Sequence, residues 1–588
     1  MFGTGELNDT LIRHKLRFIM AIIMIGFCVF VLRLGYLQIV CTGYYTEKSE
    51  DNRIRPVRLV PLRGVLYDRY GRGPLADNEM AFDICVTPNK AKFLQVPDKH
   101  RYEALQRLGL APEAVLKELE ANKGPEFEPV VIKRDVDKVT TAYLAEHNSY
   151  IQEMVIQARP KRRYKGLAVH TIGYTAPVNE SDLGDEYKMN DLKGKAGVES
   201  VYEEYLRGKP GCKIVEVNAF GHTVRELPMG IKADPGQSIN LTLDLELQSK
   251  AEALLEGKVG AIVAIDPRNG EVLVMVSKPD FDPNALQKDW KEIISDSSNP
   301  LLNRTIMGEY PPGSTFKIVT ATAALEKGTV NTGTHFYCNG KFYLPNWSEP
   351  FRCHKATGHG SMNIHEALVE SCNVFFYNVA HQKGVDVPLM HKYALMYGLG
   401  KKTGIDLFGE KQGFVPEIGK HRGDKINMCI GQGDLLVTPL QMANLICVMA
   451  NRGFAYKPRI VSQPRSDKLE YAVDVRTQIL PGTIDIIRKA LNGVVKRGSS
   501  RQASLPDYET AGKTGSAENP RGDEHAWFIG FAPFDNPEIA VAVLVENAGR
   551  GSENAAPIAG QIFAQYFYKG QKRLAEGPGN SAISRNLR

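Results

Sequence analysis

The chain has 588 residues, too many for one ordinary hydrophobic core, so two or more folded units are expected. With 43% apolar and 24% charged residues the composition is that of a globular protein and excludes collagen-like and disordered classes. A net charge of +6 is small for this length, no zinc-finger or RNA-binding signature is present, and no nucleic-acid partner is expected; nine cysteines are too few for a disulfide scaffold.

The first predicted element is an apolar helix. Phe18–Leu32 carries no charge, Arg33 interrupts, and LGYLQIV continues to Val40. A span needs ~20 residues, and Arg33 can snorkel to the interface and lengthen the usable stretch to about that figure. Arg13, Lys15 and Arg17 precede it, which keeps the N-terminus in the cytoplasm. A cleaved signal peptide or a buried core helix would use a similar stretch. No small-x-small cleavage site follows, however, and the segment is long for a signal. The sequence therefore predicts a cytoplasmic tail (1–16), a single-pass anchor in the cytoplasmic (inner) membrane (17–40), and the rest of the chain outside, where thiols meet oxidising conditions.

Residues 41–235 read as a mixed region, extended at Arg55–Leu62 and helical over Tyr102–Asn122. The basic run Arg159–Lys165 (RPKRRYK) reads as a solvated face. Residues 232–237 (KADPGQ) carry turn chemistry and mark a linker. From 236 to 570 the pattern changes. Ile239–Leu243 alternates like a strand and Asp244–Glu256 reads as a helix. Ala261–Asp266 and Glu271–Ser277 flank PRNG as a hairpin. A helix opens at Ser314. Another opens at Thr438-Pro439-Leu440-Gln441, a capping box with proline in the first turn, and stops near Gly453. Trp527–Ala532 and Ile539–Glu546 are strands. The fold class expected is α+β: an antiparallel sheet flanked by helices, its two chain ends brought together in the sheet. Residues 571–588 read as a flexible tail.

Three motifs in this second region carry chemistry. Ser314-Thr315-Phe316-Lys317 opens an apolar-periodic helix, where positions i and i+3 share a face, so the Lys317 amine can reach the Ser314 hydroxyl. A serine needs a base, and lysine is one only if burial or a nearby cation lowers its pKa. Lys513, from Lys513-Thr514-Gly515 followed by Ser516, would be that cation. The helix N-terminus offers N–H groups where an oxyanion would form. The third motif is Ser371-Cys372-Asn373. Each motif alone is weak; together and in this order they match the S-x-x-K, S-D-N and K-T-G set of penicillin-binding proteins and serine β-lactamases, with cysteine in the middle of the second.

The chain resembles a class B penicillin-binding protein, most closely the elongation type called penicillin-binding protein 2. Arg63-Gly64-Val65-Leu66-Tyr67-Asp68-Arg69 with Gly71, Leu75 and Ala76 looks like the family's pedestal signature. So do His170–Tyr174, Gly194–Glu199 with Leu206-Arg207-Gly208, and Gly431-Gln432-Gly433. The resemblance implies a peptidoglycan D,D-transpeptidase acting in elongation and cell shape. Ser314 would attack the penultimate D-Ala carbonyl of a stem peptide, Lys317 would act as base, and Ser371 would relay a proton to the leaving amine beside Lys513. Asn373 would hold the stem-peptide amide, Lys513 and Thr514 the terminal carboxylate. The N–H groups of Ser314 and Ser516 would form the oxyanion hole, with Gly515 among the substrate-binding residues. β-Lactams would acylate Ser314. A RodA-type glycan polymerase within the elongation complex is the implied partner.

Cys338, Cys353, His359 and Cys372 cluster between the first two motifs. Residue types alone leave two readings open: a structural Cys₃His zinc site, or a Cys338–Cys353 disulfide with Cys372 a small buried thiol. His354 competes with His359. The resemblance implies zinc, because elongation-type relatives place similar ligands beside the active site. Three alternatives remain in view. One is a division-type relative. Another is a β-lactamase, against which stands the lack of a class A Glu-x-x-x-Asn between Asn373 and Lys513. The last is a β-lactam sensor.

Overall fold

The computed structural model describes residues 5–86, 98–121, 129–151, 154–184, 187–188, 191–217, 223–462, 469–520 and 522–576. The N-terminal stretch forms an α-helix, Gly5–Gly35, that continues as a π-helical turn, Tyr36–Val40. Ile12–Val40 is long and apolar enough to cross a membrane, and its most apolar window buries nothing against the protein.

The chain divides into two compact units, each assembled from separate segments. The first comprises 1–61, 80–160 and 209–235. Strands Ile54–Leu59, Gly211–Val217 and Thr223–Ile231 form an antiparallel sheet there. A small core gathers Ile84, Val86, Leu105, Leu108, Val115, Leu144 and Met154. The helix expected over Tyr102–Asn122 is two helices, Lys99–Leu108 and Pro112–Ala121. Gly109 ends the first in a left-handed cap and Pro112 opens the second; residue 122 lies outside the described residues.

The second unit comprises 62–79, 161–208 and 236–588. Residues 62–79 and 161–208, read from sequence as pedestal, pack here. Leu66–Tyr67 pairs in parallel with Ile239–Asn240, and Leu66, Leu75, Tyr164, Ile172, Val198 and Leu206 join the unit's main core. The basic run is not simply solvated. Arg162 is buried against Glu199 at 2.7 Å, Arg163 pairs with Asp77, and in the first unit Arg159 bridges Asp83 and Asp135 at 2.6 Å each.

The centre of the second unit is a five-stranded antiparallel sheet. Helix α1 (Leu245–Leu254), capped by Asp244, precedes strands β1 (Gly260–Asp266) and β2 (Glu271–Lys278). The chain then passes through helix α2 (Lys317–Glu326), strands β3 (Phe336–Cys338), β4 (Lys341–Phe342), β5 (Phe351–Arg352) and β6 (Gly360–Met362), and helices α3 (Ile364–Val369), α4 (Asn373–Gln382) and α5 (Val387–Met396). Helices α6 (Pro439–Ala450) and α7 (Pro481–Lys496) lead to β7 (Ala511–Ala517), β8 (His525–Ala532), β9 (Ile539–Val545) and the closing helix α8 (Ala556–Glu576). The sheet order is β2-β1-β9-β8-β7, so the first and last parts of the unit meet at the β1–β9 ladder, as expected.

Every residue of β8 and β9 is buried, because helices cover both sheet faces. Alternate side chains enter opposite cores. Trp527, Ile529, Ala542 and Leu544 pack with the α2, α4 and α6 side; Phe528, Val541 and Val543 pack with α1 and α8. The expected capping box at Thr438 and Gln441 is formed, and α6 is buried all round. Helix α8 runs to Glu576, into the stretch read as a tail; the rest of that stretch lies outside the described residues.

Candidate active site and an adjacent cysteine–histidine cluster

Ser314 lies in a 3-10 turn, Gly313–Phe316, that runs directly into α2. The sequence suggested an α-helical opening. Residues i and i+3 of a 3-10 helix eclipse, yet no hydrogen bond joins Lys317 Nζ to Ser314 Oγ; the amine bonds Ser371 and Asn373 instead. Two glycines make the turn possible. Gly313 has φ +55°, and a Cβ there would stand 2.7 Å from the Ser516 carbonyl oxygen. Gly431, at φ +80°, would place a Cβ 2.0 Å from the Gly313 oxygen. The Gly313 N–H donates to Gly431 O at 2.9 Å, and Trp527 Nε1 donates to Pro311 O at 3.0 Å. The serine loop is thus clamped between β7, β8 and the Gly431 turn.

Lys317 is wholly buried at the start of α2. Its Nζ donates to Asn373 Oδ1 at 2.5 Å, to Ser371 O at 2.8 Å and to Ser371 Oγ at 3.2 Å. Lys513, on β7 and also wholly buried, donates to the same Ser371 Oγ at 3.0 Å and to Thr514 O at 3.0 Å. The two ammonium groups converge on one hydroxyl, and among the described residues neither forms an ion pair. Burial lowers Lys317 from the ordinary lysine value to about 8. Burial, and then the charge of Lys317, holds Lys513 well below its usual value.

Ser371 links α3 to α4 in a left-handed conformation, φ +54°, uncommon for a residue with a side chain. This bend points the α3–α4 junction at both lysines. Asn373 opens α4, half-buried; its Nδ2 donates to Arg352 O at 3.3 Å, as does the Tyr377 hydroxyl. The Thr514 hydroxyl exchanges a 2.7 Å hydrogen bond with Ser499, and Ser516 Oγ accepts from Gly551 N at 3.3 Å. Ser314 itself is half-buried at the surface of this polar chamber. The structure thus brings Ser371, Asn373, Lys317, Lys513 and the 514–516 strand to the serine turn. Ser499, Gly551 and the Arg352 carbonyl were not singled out from sequence. None lies in a spacing pattern, and each enters through tertiary contact alone.

Beside Asn373 lies the cysteine–histidine group. The ligand-type atoms of Cys338, Cys353, His359 and Cys372 all lie within 4.8 Å of one another. The β3–β6 and β4–β5 ladders bring Cys338, Cys353 and His359 together, and Cys372 caps α4. His359 Nδ1 is 3.6 Å from Cys338 Sγ and 3.5 Å from Cys353 Sγ; His354 Nδ1 is 4.0 Å from Cys353 and lies outside the group. The cysteines are all free thiols. A hydrogen bond from Cys372 pushes Cys353 far down toward thiolate, while Cys372, which gives it, is pushed up.

Comparison with known proteins agrees with this geometry. Residues 260–564 match the penicillin-binding protein transpeptidase domain and residues 58–241 the penicillin-binding protein dimerisation domain. The peptidoglycan D,D-transpeptidase MrdA of Acinetobacter baumannii is 35% identical, spanning 98% of this chain and 90% of that protein. MrdA of Escherichia coli K12 is 32% identical over 89% of each. Penicillin-binding protein 2 of Helicobacter pylori, solved in complex with MreC, matches with a TM-score of 0.75 at 27% identity, covering 87% of this chain and 99% of that one. A chain from a peptidoglycan synthase complex that coordinates polymerization and crosslinking matches at 0.71 and 30% identity, over 96% and 99%. The chain belongs to the class B penicillin-binding transpeptidases.

Proposed function

We propose that this chain is a peptidoglycan D,D-transpeptidase that cross-links stem peptides during cell elongation, through an acyl-enzyme on Ser314. The carrying observation is the pair of buried lysines converging on the Ser371 hydroxyl beside the serine turn. Neutral Lys317 takes the Ser314 proton as the hydroxyl oxygen bonds to the penultimate D-Ala carbonyl carbon. The N–H groups of Ser314 and Ser516 hold the oxyanion. The C–N bond to the terminal D-Ala breaks, and Ser371 passes a proton to that leaving amine, with Lys513 holding the hydroxyl in place. Lys513 and Thr514 bind the terminal carboxylate, and Asn373 the donor amide. An amine from a second stem peptide then takes the acyl group and restores the serine. β-Lactams acylate Ser314 as D-Ala-D-Ala mimics.

The cysteine–histidine group fits zinc. A tetrahedral ion with sulfur at about 2.3 Å and nitrogen at about 2.0–2.1 Å sets S···N edges near ~3.6 Å. The two S···N distances here are 3.5 and 3.6 Å, and all four ligand atoms lie within 4.8 Å of one another. Cys338, Cys353, His359 and Cys372 would hold the ion, which would supply a structural clamp and take no part in acyl transfer. By pinning Cys353, it would fix the neighbouring Arg352 carbonyl that Asn373 and Tyr377 hold.

The apolar helix is read as a single anchor with Arg13, Lys15 and Arg17 on the cytoplasmic side and the chain from residue 41 onward outside. The first unit serves as the pedestal. The partner is a RodA-type glycan polymerase, a reading supported by the likeness to a chain of a peptidoglycan synthase complex. The test is a cross-linking assay on glycan strands bearing pentapeptides. The wild type releases D-Ala and forms dimeric stem peptides; Ser314→Ala does neither. Rapid turnover of penicillin without cross-linking would mark a β-lactamase instead.

A further inference from the structure

A second cavity lies in the transpeptidase unit among elements that hold none of the acylation residues. It has a volume of about 280 Å³ and is lined by the end of α5, the 398–403 loop, α6 and the strand Tyr471–Asp474. Three lysines surround it: Lys392, Lys401 and Lys402, all exposed. Among the described residues none of the three forms an ion pair. The lining carboxylate, Asp474, is already neutralised by Arg476 at 2.6 Å. The surplus charge facing the cavity is positive.

Leu395, Met396 and Val473 supply an apolar wall. The strand Tyr471–Asp474 pairs on one side with Phe454–Tyr456, and among the described residues its other edge is unpaired. An anion, an aliphatic contact and a strand edge together describe one kind of ligand.

We propose that this cavity is a binding site for a short acidic peptide, separate from the serine site. The peptide's carboxylates meet Lys392, Lys401 and Lys402, and the peptide extends along the unpaired strand edge. The volume is at the small end of ligand clefts and suits a few residues. Phosphate would satisfy the lysines and leave the strand edge and the apolar wall unused. The site has a route to the catalytic helix, because Tyr397, at the end of α5, shares a 2.8 Å hydrogen bond with Thr322 on α2.

The test uses the full chain in detergent, first acylated with benzylpenicillin so that the serine site is closed. The probes are fluorescent acetyl-Ala-Glu-Glu, its neutral analogue acetyl-Ala-Gln-Gln-amide, and inorganic phosphate as competitor, with binding read by anisotropy. Saturable binding of the acidic peptide is expected, at least ten-fold tighter than the neutral one. The surface variant Lys401→Glu/Lys402→Glu should lose about ten-fold or more while keeping the wild-type rate of benzylpenicillin acylation. No saturable binding, equal affinity in the charge-reversed variant, or displacement by phosphate at matching concentration would overturn the proposal. Acylation is measured by mass and binding by titration, so failure here and failure of the transpeptidase reading are distinguishable.

Discussion

Lys317 and Lys513 are two amines taken out of water with no carboxylate among the described residues to pair them, which suits one of them to the proposed role of base. Burial penalises the charged form, so Lys317 falls to about 8 while Lys513 is pushed down in turn by burial and by Lys317. The two titrate as a coupled pair, and a measured profile belongs to the pair. On the proposed mechanism the working form of Lys317 is neutral, so β-lactam acylation should rise about ten-fold per pH unit below ~8 and level off above it. A rate still climbing at pH 10 would show an unperturbed lysine. Lys317→Ala should lower the acylation rate by about 10²–10⁴ with little change in non-covalent binding, as read by stopped-flow with a chromogenic β-lactam. These residues were legible in the sequence because motif spacing on helices and strands places them. Ser499, which holds the Thr514 hydroxyl, was not, since no local pattern ties a serine to a threonine on a strand fifteen residues later.

At the scale of elements, the site rests on turns that few side chains permit. Gly431→Ala would drive a Cβ into the Gly313 carbonyl and strain a left-handed residue. It should cost about 3 kcal/mol or more, and it should abolish acylation even in the folded fraction, because the serine turn must move. Circular dichroism melting together with penicillin labelling separates the two effects. Thr438→Ala removes one half of a buried capping box and should cost about 1–2 kcal/mol in urea unfolding without altering labelling per folded molecule. Chelation of the cysteine–histidine group, or Cys353→Ser, should lower the melting temperature and slow acylation together, because Asn373 and Tyr377 both hold the adjacent Arg352 carbonyl. Metal content by emission spectrometry checks the cause. The hairpins, capping box and closing strands were readable because each is a local signal. The break at Gly109 was hidden inside an apolar period, and the 3-10 turn at Ser314 depends on contacts with Gly431 and β7 that lie far away in sequence.

For the whole molecule, the sequence marked the change of pattern near 236 but not how the units share the chain. Leu66–Tyr67 finds its partner at Ile239–Asn240 across more than 150 residues, and such a short parallel pairing leaves no periodicity to read. The same pairing draws the Arg63–Arg69 signature into the catalytic unit, where Arg63 bonds Glu199 and Glu203. The apolar N-terminal helix contributes nothing to either core, so a chain lacking residues 1–40 should acylate at the wild-type rate yet leave the membrane fraction. The central claim is that Ser314 is the acylated nucleophile, and the most direct measurement is peptide mass spectrometry of the full chain after benzylpenicillin. The account predicts one penicilloyl group, carried by the peptide containing Ser314 and absent from Ser314→Ala. An adduct on any other residue, or one that survives Ser314→Ala, would contradict it.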